Sequence, residues 1–487
     1  MKTILDLDPK EVFYYFNEVC QVPRPSKHEE QIIAYLKEFG AKHNLETSID
    51  EVGNVLIKKP ATPGYESKET VVLQSHVDMV CEKNTETQHD FTKDPIEPVI
   101  DGAWLKANGT TLGADNGIGI AAELALLASD TIEHGPIECL FTIDEETGLT
   151  GAFALKSGFF DGNILLNLDS EDEGELFIGC AGGIDTVATF TYTPHEVPVG
   201  YFYFKVTVKG LNGGHSGDDI NKNLANANKI LVRYLNILRS KHDVKICEIN
   251  GGNLRNAIPR EAYAVVAVPI EYKHDVRIDL NVFSAEVEAE YHVTEPRMAL
   301  ELESHDAVST CIDDHTANQL LLSLHAVHHG VFMMSQDIEG LVETSSNLAS
   351  VKMKEANTIQ VETSQRSSIL SSRDNMAETI RATFKLAGAE ISHGDGYPGW
   401  KPNPESPILA IAVESYERLF GRKPAVKAIH AGLECGLFLE KYPHLDMVSF
   451  GPTLRGVHSP DERMEIVTVE KWWKHLLDVL KNIPNKK

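Results

Sequence analysis

Apolar residues along this chain fall into three textures. Up to about residue 183, short runs that are apolar on both faces alternate with helical patterns. Thr70–Ser75 (TVVLQS), Ile137–Ile143 (IECLFTI) and Ile164–Leu168 (ILLNL) are nearly continuous, and Gly117–Ala128 (GIGIAAELALLA) predicts a buried helix. Strands buried on both faces and separated by helices predict an α/β fold, with a doubly wound, mostly parallel sheet. Pro25, Ser26 as N-cap, Glu29 three residues later and then Gly40 mark the first expected helix.

From about 184 to 396 the pattern changes. Tyr201–Val208 (YFYFKVTV) tends to alternate, as in an antiparallel strand with one wet face. A helix is expected over Asn221–Lys241, then strands at Lys245–Ile249 and Ala262–Pro269. A helix at Thr316–His329, a strand at Thr358–Thr363 and a helix at Asp374–Gly388 follow. After about 397 the first texture returns, with a helix at Pro407–Leu419, a strand at Asp446–Phe450 and a closing helix at Val469–Ile483. The simplest layout is a discontinuous α/β domain (1–183 and 397–487) carrying an inserted α+β domain (184–396).

Composition narrows the partners. The net charge is −27, from 72 acidic and 45 basic residues, and a surface so acidic repels nucleic-acid phosphates and anionic membranes. Neither is expected as a partner. The N-terminus, MKTILDLDPK, has no apolar signal segment, and no apolar run approaches the roughly 20 residues of a membrane span. A cytoplasmic protein is the expectation. The 7 cysteines are scattered without a CxxC pair, which predicts buried thiols rather than a disulfide framework.

The chemistry lies at the ends of the expected strands. TVVLQS ends in His76-Val77-Asp78, and GTTLG precedes Asp115 at the start of the buried helix. IECLFTI runs into Asp144-Glu145-Glu146, ILLNL into Asp169, and the last strand leads through Gly451-Pro452 to His458. Loops beyond the carboxyl ends of parallel strands converge on one crevice. Imidazoles and carboxylates suit zinc, and also manganese or cobalt. Two His and three carboxylates exceed what one catalytic zinc needs and fit two ions sharing a carboxylate. Residues two apart on an extended chain face the same way, so Asp78 can orient the His76 ring. The doublet Glu145-Glu146 suggests one ligand and one free base.

These residues also carry a resemblance. HVDMV (76–80), GTTLGADNGIG (109–119), FTIDEETG (141–148), NLDSEDEGE (167–175), GGHSG (213–217) and GPTLRGVHSPDE (451–462) are similar to motifs of the dinuclear zinc aminopeptidase/carboxypeptidase superfamily. Within it the chain most resembles the aminoacyl-histidine (Xaa-His) dipeptidases, also called bacterial carnosinases, from PRPSKHEE to the C-terminal helix. The resemblance implies two Zn2+ per subunit, with Mn2+ or Co2+ as substitutes. Asp115 would bridge them, His76 and Asp169 completing one site, Glu146 and His458 the other. Glu145 would be the general base, Asp78 the residue positioning His76, and Asp115-Asn116 a non-proline cis peptide. The inserted domain would be a lid whose His215, Asn256 and Arg366 contact the substrate. Arg offers a fork suited to a terminal carboxylate, and His or Asn can polarise a carbonyl. A homodimer acting on dipeptides is implied, with His215 reaching the partner's site.

The segment His430–Gly436 (HAGLECG) also matches the family without an assigned role. Cys435 as a nucleophile is the competing reading there. For the whole protein the competitors are a tripeptide aminopeptidase, an N-acyl amino acid deacylase, and a non-catalytic metal-binding scaffold. The scaffold reading leaves Glu145 without a purpose.

Overall fold

The computed structural model describes residues 3–486. It divides into two compact units: Met1–Gly179 with Trp400–Ala428 and Leu433–Lys487, and Cys180–Gly399 with Ile429–Gly432. No described helix is long and apolar enough to cross a membrane.

The first unit is built on an eight-stranded sheet. From one edge the strands are Glu46–Ile49, Val55–Lys59, Ile137–Thr142, Val71–His76, Ile164–Asn167, Asp446–Ser449, Glu175–Cys180 and Ala425–Ile429. The four central strands, from Ile137–Thr142 to Asp446–Ser449, run parallel. Every residue of Val71–His76 and Ile137–Thr142 is buried, which explains why neither alternates in sequence. Helix Ala114–Ala128 packs on Val71–His76 and on helix Lys10–Cys20, while Pro407–Phe420 packs on Asp446–Ser449 and on Ile466–Lys481. A second, four-stranded sheet runs Leu454–Arg455, Arg463–Glu465, Trp104–Ala107, Pro98–Asp101.

The second unit holds a nine-stranded sheet. Its order is Ala299–Ser304, Tyr201–Lys209, Ala262–Pro269, Lys245–Gly251, Val342–Lys354, Thr358–Ser367, Gly182–Thr191 and Glu390–His393, with Gly330–Met334 paired to Val342–Lys354. The pairings are antiparallel. Helices Ala227–Lys241, Asp275–Tyr291, Asp314–Ala326 and Leu370–Leu386 contribute Tyr234, Phe283, Leu320 and Phe384 to one apolar core.

Several local expectations shift. The outer strands of the first sheet are antiparallel: Glu46–Ile49 pairs so with Val55–Lys59, which pairs so with Ile137–Thr142. Ser26 is not a helix cap. The helix begins at Glu30, Lys27 is left-handed at φ 67°, and the Ser26 hydroxyl instead donates to Asp78 at 2.8 Å. The helix expected from Asn221 begins at Ala227, where the Asn226 side chain accepts from the amides of Asn228 and Lys229, as an N-cap does. Helices Lys10–Cys20 and Asp275–Tyr291 have no counterpart among the expected elements.

Candidate active site

The central strands deliver their ends to one place in the first unit. His76 closes its strand with 1% of its surface exposed. Its Nε2 lies 3.0 Å from Asp115 Oδ1 and 3.3 Å from Asp169 Oδ1. The other Asp115 oxygen lies 3.3 Å from His458 Nε2, which is 3.0 Å from Glu146 Oε2. Two clusters, His76–Asp115–Asp169 and Asp115–Glu146–His458, thus share one carboxylate, with donor atoms within 4.8 Å of one another in each. Glu145 joins His76 and Glu146 in a third such grouping.

Local backbone makes this possible. Asp144 is left-handed at φ 47°, which turns the chain sharply after strand Ile137–Thr142 and presents Glu145 and Glu146 on the short helix that follows. Asp78 holds that turn as well as the His76 ring. Its oxygens accept from the Glu145 and Glu146 amides at 3.0 and 3.2 Å, and Oδ1 sits 3.3 Å from His76 Nδ1. On the other side Gly113, left-handed at φ 66°, precedes Ala114 and Asp115 at the start of the buried helix. The Asp115–Asn116 peptide is cis.

Burial opposes charge on the carboxyls of this site. It raises Glu145 well above the usual carboxylate range despite His76 nearby, Asp169 up to about 7 and Glu171 up to about 8. Burial opposes ionisation of Asp115 too, but His458 and His76 hold that carboxyl below its ordinary value. The hydrogen bonds that His458 donates to Asp115 and Glu146 carry its imidazole up to about 11. One oxygen of Glu146 is buried without a hydrogen-bond partner. Crowded buried carboxylates, an orphaned oxygen and two imidazoles form a donor set suited to divalent cations. The residues fit a pair of such ions sharing Asp115.

In the second unit, Ser216 links the other three candidates. Its amide donates to the Asn256 carbonyl at 2.8 Å, and its hydroxyl accepts from Arg366 Nε at 3.3 Å. The neighbouring His215 bridges to Ala257 in backbone pairing, its Nδ1 accepting from the Asp218 amide at 3.2 Å. Arg366 is 8% exposed, and its second described bond goes to the Tyr397 hydroxyl at 3.1 Å. Of the HAGLECG segment, His430 belongs to this unit, its Nε2 2.7 Å from Ser345 Oγ. Burial and the neighbouring Arg366 push that imidazole down to about 3.

Four residues carry the site without having been singled out from sequence. Arg24 is buried and donates to the carbonyls of Val77, Asp78 and Gly113. Glu462 accepts from four successive amides, Leu112 to Asp115. Glu434, in the first unit, accepts from Gln74 at 2.6 Å and Thr142 at 2.7 Å, and burial raises it to about 8. Tyr397, in the second unit, gives Arg366 a second hydroxyl partner beside Ser216. The first two reach backbone groups, which leave no spacing signal, although both stand inside the quoted motifs PRPSKHEE and GPTLRGVHSPDE.

Comparison with known proteins identifies the family. The model of peptidase family M20/M25/M40 matches residues 72–482. The cytosol non-specific dipeptidase of Escherichia coli (strain K12) is 44% identical over 486 residues, covering 100% of both chains. A crystal structure of aminoacylhistidine dipeptidase from Vibrio alginolyticus superposes with a TM-score of 0.90 at 46% identity, covering 100% of this chain and 99% of that one. A tripeptidase from Staphylococcus aureus subsp. aureus mu50 shares the fold, with a TM-score of 0.57 at 17% identity over 98% of this chain and 99% of that one.

Proposed function

Because this chain belongs to peptidase family M20/M25/M40, we propose that it hydrolyses dipeptides at a centre of two divalent cations, zinc with manganese or cobalt as substitutes, with Xaa-His (carnosine-like) dipeptides as the preferred substrates. The observation that carries this reading is Asp115 standing between two ligand clusters, one oxygen toward each histidine.

In this reading His76, Asp115 and Asp169 hold one cation, and Asp115, Glu146 and His458 the other. Bound there, the pair supplies Lewis acidity toward a water and the scissile carbonyl. Glu145 takes a proton from the attacking water and returns it to the leaving amine, a role suited to a carboxylate whose buried setting raises its basicity. Asp78 fixes the His76 tautomer and the turn bearing Glu145. The second unit acts as the lid. Arg366 binds the substrate's terminal carboxylate, while His215 and Asn256 donate toward the carbonyl oxygen.

The names of the two full-length relatives agree on dipeptides and differ on the C-terminal residue. A homodimer, with His215 acting in the partner's site, rests on the family resemblance, and a cytosolic location on the name of the Escherichia coli relative. The test is a panel of Xaa-His dipeptides, other dipeptides, tripeptides and N-acetyl amino acids, assayed before and after chelation and zinc readdition. Dominant Xaa-His cleavage that disappears with chelator and returns with zinc is the expected result. Equal cleavage of other dipeptides would move the assignment to a broad dipeptidase. Activity indifferent to chelation would overturn the metal reading.

A further inference from the structure

The turn Leu112–Asp115 directs four consecutive backbone N–H groups at one point. In many proteins such a concavity at a helix start receives a bound anion. Here the chain fills it with its own carboxylate. Glu462 Oε2 accepts from Leu112 at 2.7 Å and Gly113 at 3.0 Å, while Oε1 accepts from Ala114 at 2.8 Å and Asp115 at 3.3 Å. The side chain is 2% exposed. Arg24 grips the opposite side of the same turn through the Gly113 carbonyl. It also holds the Val77 and Asp78 carbonyls at 3.0 and 2.8 Å, so the guanidinium fastens the two ligand loops.

Sequence position gives Glu462 its meaning. It lies four residues after His458, in the loop between Leu454–Arg455 and Arg463–Glu465. Arg463–Glu465 pairs with Trp104–Ala107, the strand from which the chain continues to Leu112–Asp115. The ring of His458 is held through Asp115 and Glu146, not by a strand. The residue is left-handed at φ 61°, and 53% of its side chain is exposed. His76 and Asp169, by contrast, stand at or just beyond the ends of central strands.

We propose that Glu462 is a positioning residue that locks the His458 loop to the Asp115 turn, so that the cluster Asp115–Glu146–His458 depends on it for its cation while His76–Asp115–Asp169 does not. The inference rests on the dinuclear reading above. Four amides hold one carboxylate of the His458 loop against the Asp115 turn, which keeps His458 within reach of Asp115 and Glu146.

The test is Glu462→Gln, which removes the charge and turns an amide NH2 toward backbone N–H groups. Metal content after dialysis against zinc buffered at a low free concentration is read by elemental analysis, beside thermal melting and circular dichroism of the same sample. A folded variant holding one cation per chain where the unmodified protein holds two is the expected result. The weaker site should lose about ten- to a hundredfold in affinity, the usual cost of removing such an outer partner. Raising free zinc should then restore both the second equivalent and kcat with KM unchanged, and Glu462→Asp should recover part of the affinity. Two cations at unchanged affinity in the Gln variant would overturn the proposal. Should that variant fail to fold, amide hydrogen exchange on the metal-free unmodified protein decides. Slow exchange at Leu112–Asp115 supports the lock and rapid exchange overturns it. Unmodified protein that binds fewer than two cations would instead sink the dinuclear reading.

Discussion

The first unit buries carboxylates in excess of the cations fixed among them, whereas the second buries a guanidinium whose described partners are hydroxyls. Around His76 and His458 stand Asp78, Asp115, Glu145, Glu146 and Asp169, with Glu434 close by. Arg366, at 8% exposure, bonds to Ser216 and Tyr397 among the described residues. A buried charge is stable only when paired or when it changes its protonation. The carboxylates respond partly by the second route, their affinity for protons raised by burial. A guanidinium has no such route, since it stays protonated in proteins. The imbalance around His76 and the one around Arg366 have opposite sign.

The largest effects should come from breaking the first imbalance. His76→Ala and Asp115→Ala are expected to lose bound metal and activity together, measured by elemental analysis and peptide hydrolysis. Glu145→Gln separates the two quantities. It should keep both metals and lose roughly a hundred- to ten-thousandfold in kcat, the range for a general base. Full metal content in His76→Ala or Asp115→Ala would overturn the ligand assignment. Turnover unchanged in Glu145→Gln would remove the base.

The second imbalance is tested at Arg366. Arg366→Ala should leave metal content alone and raise KM for dipeptides by about ten- to a hundredfold, as expected for a lost charged hydrogen bond of roughly 1.5–3 kcal/mol. A dipeptide amide, which lacks the terminal carboxylate, is the control, and the variant should discriminate against it far less than the unmodified protein does. If both proteins treat acid and amide alike, Arg366 does not read the carboxylate.

The contrast between units also explains what can be read from the sequence. The central strands are legible because burial on both faces leaves no alternation to misplace: the apolar run Ile137–Ile143 and the strand Ile137–Thr142 nearly coincide. That strand ends would bring His76, Asp115, Glu146, Asp169 and His458 within reach of one another follows from the same parallel layout. Their division of labour does not. Ser26 and Glu29 look like a capping box, yet Ser26 serves Asp78 and Glu29 accepts from the Lys27 and Asp144 amides. The site thus takes groups that local rules assign to a helix. The antiparallel edge of the first sheet escapes a sequence reading because Val55–Ile57 is also buried, and an apolar run carries no sign of strand direction. Glu462 and Arg24 escape it because side-chain-to-backbone contacts between distant parts of the chain produce no periodicity.

The last expected effect is on stability rather than turnover and concerns the excess charge itself, at a carboxyl outside both ligand clusters. Glu434 is fully buried, and burial lifts it from 4.5 to about 8 although Thr142 donates to it. A carboxyl raised in the folded state binds its proton more tightly there than in the unfolded chain. Its contribution to stability is therefore complete below about pH 4.5 and is lost as pH rises toward 8. Glu434→Gln removes that titration while keeping the shape and one carbonyl acceptor for Gln74 and Thr142. In chelator-treated protein the melting temperature of the variant, relative to the unmodified protein, should climb steadily between pH 5 and pH 8, each unit of a true shift being worth about 1.4 kcal/mol. An offset constant across that window would mean that the substituted side chain merely packs differently. It would also mean that Glu434 is ionised in the folded protein, with the cost of its burial carried by the hydrogen bonds from Gln74 and Thr142.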